Sequence, residues 1–203
     1  MPIVVGLILA AGQSTRMGQP KALLPSPHTG RTFVTQLINS LREGGVDRVG
    51  VVGRPTDAGL RAEIAGAVPT VDFVDNPSHE LGQLSSLLAG LAYAESHDAA
   101  GALVVPVDMP LIRAGTVRAA LEAFMHCDRP VLRVTHRGQH GHPVIFSADL
   151  FAALRNADPS LGARAVLRED PSRVRDLEVD DPGVIRDIDL PDEYRRLFDE
   201  NPG

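Results

Sequence analysis

The amino-acid sequence predicts an α/β fold: a doubly wound, mostly parallel sheet with helices on both faces and a small C-terminal subregion. Apolar β-branched runs alternate with longer segments of helical periodicity. Strand, helix and strand in series favour parallel neighbours joined by right-handed crossovers. A chain of 203 residues with 43% apolar composition can bury one sizeable core, so we expect a single domain over residues 1–203.

The predicted strands share β-branched, apolar character. In the first part of the chain they cover residues 3–9, 46–52, 70–74, 102–107 and 130–134. Helical periodicity predicts helices at 33–41, 81–94 and 116–124. After residue 130 the elements become shorter, with a strand at 141–146, helices near 147–155 and 161–168, and a strand from 174. We therefore divide the domain into a first part at 1–129 and an added part at 130–203.

Charge and hydropathy exclude several classes of partner. The formal net charge of −6 argues against nucleic acid and against an anionic membrane surface. The apolar run at 3–11 lacks the basic start of a secretory signal, and no other run approaches the roughly 20 apolar residues that span a bilayer. The single cysteine, Cys127, cannot form an internal disulfide. We expect a cytoplasmic protein whose partners are small molecules.

The segment LILAAGQSTRMGQPKALLP, at 7–25, joins the first strand to a loop rich in glycine, hydroxyl and basic side chains. The strand brings residues 12–18 to the carboxyl edge of the sheet, where doubly wound sheets bind ligands. Glycines let the backbone approach a ligand and free amides point at an anion. The loop is not a Walker motif, because position 17 is Met, and its glycines at 12 and 18 do not form the dinucleotide fingerprint. We predict a phosphate-binding loop.

The basic residues around this loop strengthen the prediction. The first 42 residues contain no Asp or Glu but carry Arg16, Lys21, Arg31 and Arg42. Lys21 is the only lysine among 20 basic residues. A compact ammonium on a flexible stem fits between phosphate oxygens where a planar guanidinium does not. We predict that Arg16 and Lys21 hold phosphates; the alternative is a single surface lysine that occurs by chance.

Asp108 is the candidate metal ligand. It directly follows the predicted strand at 102–107, at the same sheet edge as the loop. Mg²⁺ takes one or two carboxylates together with phosphate oxygens and water, so we expect a catalytic Mg²⁺, with Mn²⁺ as an alternative. A second interpretation makes Asp108 the N-cap of a helix over MPLI. His136, His140 and His142 fall within seven residues, but no carboxylate or thiol nearby completes a zinc set.

The segment GQLSSL at 82–87 is predicted to begin a helix. Gly82, Ser85 and Ser86 then lie in its first turn, where free amides and hydroxyls can meet a base, a ribose or an acceptor. Ordinary helix capping explains the two serines almost equally well.

These segments together resemble the MobA-like NTP transferase superfamily, which shares a fold with sugar-1-phosphate nucleotidyltransferases. The loop LAAGQSTRMGQPK carries the signature. Further segments fit in order along the chain: NPSHELGQLSSLLAGL at 76–91, VVPVDMPLI at 104–112, GHPVIF at 141–146, LGARAVL at 161–167 and DIDLPDEY at 187–194. Within the superfamily the chain is most similar to the molybdenum cofactor cytidylyltransferase group.

The resemblance implies a Rossmann-like nucleotidyltransferase that moves CMP from CTP to molybdenum-loaded molybdopterin and releases pyrophosphate. Relatives that use GTP tend to have glycine at the position of Ala11, which implies CTP. The resemblance also implies a transient contact with a molybdoenzyme or its chaperone. The implied nucleotide-binding residues are Leu9, Ala10, Ala11, Gly12, Ser14, Thr15, Arg16, Met17, Gly18, Lys21, Gly82 and Ser85.

The resemblance makes Arg16, Lys21 and Asp108 the catalytic residues. For the acceptor it implies Ser86 and His142, and for the metal it implies Asp189 beside Asp108, with Asp187 only two residues away. It thereby makes 1–129 the nucleotide-binding part and 130–203 the part that binds the acceptor and completes the metal site. The chain departs from the family pattern at 25–32 and 156–161. The alternatives are therefore a transferase that uses GTP or another NTP on a different cofactor precursor or a sugar phosphate, and a noncatalytic nucleotide-binding regulator. Asp108 argues against the regulator.

Overall fold

Seven strands form one mixed sheet in the computed structural model, which describes residues 3–14, 16–26, 29–66, 71–157, 168 and 170–199. The strands are β1 (Val4–Leu9), β2 (Val49–Gly53), β3 (Val71–Asp75), β4 (Gly101–Pro106), β5 (Val131–His136), β6 (Gln139–Ser147) and β7 (Val174–Glu178). The α-helices are α1 (Phe33–Glu43), α2 (Ala58–Ala65), α3 (Gln83–Glu95), α4 (Ala114–Met125), α5 (Phe151–Arg155) and α6 (Pro191–Asp199).

The strand order across the sheet is β3-β2-β1-β4-β6-β5-β7. The four strands from β3 to β4 are mutually parallel, β6 runs antiparallel to both of its neighbours, and β7 pairs parallel with β5. Six strands therefore point one way and β6 the other. The predicted fold class, a mostly parallel α/β sheet, is confirmed.

Alternating residues of β1 pack into two separate hydrophobic cores, one on each face of the sheet. Val4 and Ile8 of β1 belong to a cluster with buried residues of α1, α2 and α4, whereas Val5 and Leu7 pack with buried residues of α3 and α5. Helices thus cover both faces, which explains why β1 is a continuous apolar run rather than an alternating one. A Cβ at Gly90 of α3 would lie 2.7 Å from Leu7 Cδ1, so this glycine permits close packing of helix on sheet.

Several predicted boundaries move by a few residues. Strand β2 begins at Val49 rather than at 46, and β6 extends to 139–147. The sequence did not predict α2 or α6; α2 buries only Leu60 and Ile64, which is too short a pattern to signal a helix. Of the predicted helix at 161–168, and of the family segment at 161–167, only Arg168 lies within the described residues.

Among the residues that the structure describes, none of the helices has the length and apolar character needed to cross a membrane.

The register of the sheet brings the chemically interesting segments to one edge. Leu9, the last residue of β1, pairs with Pro106 of β4 on one side and Val52 of β2 on the other. The segments that leave β1 and β4 therefore start side by side. Because β6 is antiparallel to β4, its first residues lie at this same edge.

Candidate active site at the carboxyl edge of the sheet

The loop after β1 closes on its own backbone. Ser14 has a φ of 49°, and its carbonyl accepts hydrogen bonds from the amides of Met17 (3.1 Å) and Gly18 (3.2 Å). Gly18 has a φ of 74°, a conformation that glycine adopts without strain. The Ser14 hydroxyl accepts a hydrogen bond from the Lys21 amide at 3.2 Å. Thr15 lies outside the described residues, but the loop on either side of it has a defined turn.

This loop borders open space. A Cβ placed on Gly12 or on Gly18 would meet no atom of the described chain within 4 Å. Ala10 and Ala11, which precede the loop, are 7% and 3% exposed. Ala10 packs in the core cluster with α1, whereas Ala11 lies outside all three clusters found among the described residues. Ala10 and Ala11 therefore differ in their surroundings. Gly12 and Gly18 leave room for a ligand beside the backbone.

The Lys21 ammonium donates hydrogen bonds to the carboxylates of Asp108 and Asp189. This lysine begins a short 3₁₀ turn at Lys21–Leu23, and its Nζ donates to Asp108 Oδ2 at 3.1 Å and to Asp189 Oδ1. Arg16 Nη2 lies 2.8 Å from the other oxygen, Asp189 Oδ2. The Lys21 side chain is only 11% exposed, whereas that of Arg16 is 68% exposed. Four residues that the sequence predicted for phosphate or metal binding thus meet at one point.

Backbone hydrogen bonds fix the position of Asp189. The Ile188 amide donates to the Asp108 carbonyl at 2.8 Å, which brings the two acidic segments together. Glu193, in the first turn of α6, accepts from the amides of Asp189 and Leu190 at 2.8 Å each. This is the return bond of a capping box. Asp187, the neighbouring candidate, is exposed.

The two carboxylates differ in acidity. Burial raises the pKa of Asp108, and the negative charges of Asp189 and Asp187 act in the same direction, while Lys21 opposes them. The hydrogen bond from Lys21 lowers the pKa of Asp189, and the charges of Lys21 and Arg16 lower it further. Burial thus penalises the charge on Asp108, while cations stabilise the charge on Asp189.

The donor set fits a divalent cation. In the part of the chain that the structure describes, no group of three or more His, Cys, Asp or Glu side chains converges on a metal position. Asp108 and Asp189 nevertheless both reach one ammonium nitrogen, so their oxygens converge on a single cation. Two carboxylates with phosphate and water completing the shell is the coordination that Mg²⁺ typically uses in phosphate chemistry.

The helix-capping interpretation of Asp108 is wrong. The segment that follows it forms turns, and α4 begins only at Ala114, with Arg113 as its N-cap. No helix over MPLI exists for Asp108 to cap, so its carboxylate is available at the sheet edge.

The start of α3 is held by a buried asparagine. Asn76, 1% exposed, donates through Nδ2 to the hydroxyls of Ser85 and Ser86 at 3.0 Å each. Ser85 in turn donates to the Gly82 carbonyl at 2.8 Å, and Gly82 is the N-cap with a φ of 87°. Neither serine is the N-cap residue of α3, so simple capping does not account for them. Ser86 is buried and Ser85 is partly exposed, so Ser85 offers the more accessible hydroxyl.

The three clustered histidines contact three different groups. His142, the acceptor candidate, is half-buried near the start of β6, with Nδ1 3.3 Å from the Val104 carbonyl, and it precedes a cis peptide bond to Pro143. His136 is buried and its Nδ1 lies 2.8 Å from the Val179 carbonyl. His140 is exposed beside the Arg133 guanidinium.

Comparison with known proteins identifies the family. Residues 6–174 match the MobA-like NTP transferase domain. The chain belongs to this family. The superfamily predicted from the loop signature is therefore confirmed.

Two curated relatives match part of this MobA-like domain. This chain is 38% identical over 109 residues to a probable molybdenum cofactor guanylyltransferase of Rhodopirellula baltica, and the match covers 54% of this chain and 50% of that protein. It is 40% identical over 122 residues to a molybdenum cofactor guanylyltransferase of Xanthomonas euvesicatoria pv. vesicatoria, covering 60% and 55%. The chain thus spans about half the length of these relatives. Both are named for guanylyl transfer, so the specificity for CTP stays a prediction.

Solved structures match the MobA-like domain over nearly its whole length. The crystal structure of Rv0371c from Mycobacterium tuberculosis H37Rv superposes with a TM-score of 0.80 at 27% identity, covering 97% of this chain and 98% of that one. A second structure of the same protein, in complex with manganese, has a TM-score of 0.76 at 26% identity. These matches agree with the observed fold.

Sequence reasoning missed two residues that shape the site of this MobA-like domain. Asn76 directly follows β3, so its place after a predicted strand at 70–74 was an available signal. Glu193 stands three residues after Leu190 at the start of α6, in the spacing of a capping box. Recognising Glu193 required predicting α6 first.

Proposed function

We propose that this domain transfers CMP from CTP to a phosphorylated acceptor, molybdenum-loaded molybdopterin, and releases pyrophosphate. One observation carries the proposal: Lys21, Asp108 and Asp189 converge on each other beside the open loop at 12–18. Phosphate-binding cations and metal-binding carboxylates are needed at the same place when a triphosphate reacts.

In this proposal the loop and its two cations bind the triphosphate. The exposed Arg16 guanidinium can reach outward to phosphate, and Lys21 lies at the inner end of the same site. Met17 is 7% exposed and packs in a core cluster, so it fixes the loop rather than contacting solvent. Gly82 and Ser85, at the start of α3, would contact the nucleotide.

Asp108 and Asp189 would hold the divalent cation, Mg²⁺ or Mn²⁺. When bound, that cation neutralises charge on phosphate oxygens and so reduces repulsion between the two anionic substrates. The manganese complex of Rv0371c, a protein of similar fold, favours such a cation.

The proposed chemistry is an in-line displacement. An oxygen of the acceptor phosphate bonds to the α-phosphorus of CTP, and the bond from that phosphorus to the α–β bridging oxygen breaks. Pyrophosphate leaves with that oxygen, and no covalent enzyme intermediate forms. The protein contributes alignment of two anions and stabilisation of charge on the leaving group by Lys21 and Arg16. Ser86 and His142 remain the predicted acceptor residues; the Ser86 hydroxyl is buried against Asn76, so the half-buried His142 is the more accessible of the two.

The choice of CTP rests on Ala11. Ala11 is 3% exposed, follows the end of β1 by two residues and belongs to none of the three clusters of the described core, and we infer that its methyl group narrows the space next to the loop. A smaller base fits this restriction better than a purine. GTP is the second candidate, because the two curated relatives are named guanylyltransferases.

An assay of pyrophosphate release with each of the four nucleoside triphosphates and purified molybdopterin cofactor tests the proposal. We expect CTP to give the highest kcat/KM. Ala11→Gly should shift the CTP-to-GTP ratio toward GTP by about tenfold, as expected when one methyl group shapes a pocket. Ala120→Gly makes the same chemical change at a buried core position of α4, which is not among the implied nucleotide-binding residues, and should leave the ratio unaltered. A wild-type preference for GTP would instead establish the second candidate.

Tight CTP binding without pyrophosphate release, across a panel of phosphorylated acceptors, would favour the noncatalytic regulator. The division at residues 129 and 130, and a contact with a molybdoenzyme or its chaperone, stay predictions.

A further inference from the structure

The cations and carboxylates of the site neutralise each other. Lys21, proposed to bind phosphate, contacts both residues proposed to bind the metal, and Arg16 occupies the remaining oxygen of Asp189. Each group therefore already has a partner of opposite charge. A nucleotide that binds Lys21 or Arg16, or a divalent cation that binds the paired oxygens, therefore has to displace an internal partner.

A divalent cation and the Lys21 ammonium compete for one position. Both would lie between Asp108 and Asp189, and like charges at such short range repel strongly in a partly buried site. With the Lys21 side chain 11% exposed, water screens this repulsion poorly. The lysine in its observed position therefore disfavours metal binding to the two carboxylates.

The lysine can leave without unfolding the loop. Its backbone amide is held by the Ser14 hydroxyl, and the next residue, Ala22, is buried in the core. Only the four-carbon stem has to move to carry the ammonium from carboxylate to phosphate oxygens. A triphosphate has several negative charges and competes well for it.

We propose that Lys21 is an exchangeable counter-cation that holds Asp108 and Asp189 together and excludes the divalent cation until a triphosphate draws the ammonium away. The metal then takes its place on the carboxylates. Metal and triphosphate consequently bind cooperatively, and each raises the affinity of the other by the same factor. The exchange rests on the proposed function only in taking a triphosphate as the ligand that releases Lys21.

Nucleotide-free Mn²⁺ binding tests the competition directly. Electron paramagnetic resonance titration gives the Mn²⁺ dissociation constant of the wild type and of Lys21→Met, which keeps most of the stem and removes the charge. We expect Lys21→Met to bind Mn²⁺ about tenfold more tightly, within the usual range of coupling between ligands. Arg31→Met removes a charge from an exposed residue of the same basic segment and should change the affinity little. Equal or weaker binding by a folded Lys21→Met would overturn the proposal.

The wild-type protein gives a second test that needs no variant. Since Lys21 is the only lysine, protein labelled with ¹³C at the lysine ε-carbon has a single reporter signal. We expect Mg²⁺ alone to leave this signal in place, and Mg²⁺ with a CTP analogue carrying a methylene at the α–β bridge to shift it. An unchanged signal at calorimetric saturation with both would overturn the exchange.

The two proposals fail in different ways. The Mn²⁺ titration contains no nucleotide, so its result stands regardless of which reaction the domain catalyses. If the analogue binds and the lysine signal shifts, but no triphosphate yields pyrophosphate, the proposed reaction is wrong and the exchange is supported. If pyrophosphate release is rapid but Lys21→Met binds Mn²⁺ no more tightly than wild type, the exchange is wrong and the reaction is supported.

Discussion

Two acidic sites lie at the ends of the segment 181–189, and they are neutralised in different ways. Asp181, at one end, is 2% exposed and accepts hydrogen bonds from the amides of Arg113 and Gly183 at 3.0 Å each and from the Thr116 hydroxyl at 2.6 Å. These donors belong to the backbone or to a buried hydroxyl, and the Arg113 side chain adds only a longer ion pair, with its Nε 3.7 Å from Asp181 Oδ1. Asp189, at the other end, contacts only the ends of long basic side chains with its carboxylate oxygens, among the contacts that the structure describes.

The difference separates a structural carboxylate from an exchangeable one. The donors to Asp181 are fixed in position. Removing the carboxylate would leave them buried without an acceptor, and the free energy of folding would then carry their full desolvation penalty. Lys21 and Arg16 are flexible cations, so a metal can replace them on Asp189 and Asp108 with little change in the backbone. Aspartate thus fixes the segment at one end and provides the proposed metal ligand at the other.

The largest effect is expected for a substitution in the exchangeable site, which consists of Lys21, Asp108 and Asp189. Asp108→Asn removes the charge of a proposed metal ligand, so turnover should fall about 10²–10³-fold, the usual cost of losing one group that stabilises transition-state charge. The melting temperature should stay near that of the wild type. Pyrophosphate release at saturating Mg²⁺ and CTP measures the loss.

Asp187→Asn is the matched control, because it removes a carboxylate from an exposed position two residues before Asp189. It should retain most of the activity. Equal turnover in the two variants would contradict the assignment of Asp108.

An intermediate effect is expected at the structural carboxylate. Asp181→Asn places an amide against donors that need an acceptor, so the free energy of unfolding should fall by about 1–3 kcal/mol. The kcat of the folded enzyme should change little, because Asp181 contacts neither Lys21 nor Arg16 among the described contacts. Urea unfolding and initial rates distinguish the two outcomes.

Thr116→Val removes one donor of the same cluster and should cost about 1 kcal/mol. If Asp181→Asn lowered kcat without lowering the free energy of unfolding, the assignment of Asp181 as a structural carboxylate would be wrong.

The smallest effect is expected at Glu193, which accepts hydrogen bonds from the backbone amides of Asp189 and Leu190. Glu193→Gln keeps an acceptor for the amides of Asp189 and Leu190 but removes a negative charge from the start of α6. The helix dipole makes such a charge worth about 0.3–1 kcal/mol. Urea midpoints should report this decrease, and Arg195→Gln, at an exposed position on the same helix, serves as a comparison. A larger loss would mean that Glu193 supports more than the cap.

Local sequence patterns predicted most of the sheet and the loop. Continuous apolar runs identified β1 and β4 because both strands are buried on two faces, and the residues after them therefore fell at the carboxyl edge. Asp108 was found for this reason. Helix α2 was missed because a helix of eight residues with two buried positions leaves little periodicity to detect.

Contacts between distant segments were harder to predict. Asn76 supports Ser85 and Ser86 across a turn that has no regular pattern, and the antiparallel β6 between β4 and β5 follows from pairing rather than from composition. The sequence offered Lys21 for phosphate and Asp108 with Asp189 for metal as separate roles. It did not indicate that they contact each other.

The sequence by itself determined the fold class, the family and the residue types that carry the chemistry, because burial periodicity and a loop signature are local properties of the chain. The tertiary structure decided which charges face each other: Lys21 and Asp189 are 168 residues apart, and strand order and register bring them together. Electrostatic partners depend on distance in space, which no local pattern encodes.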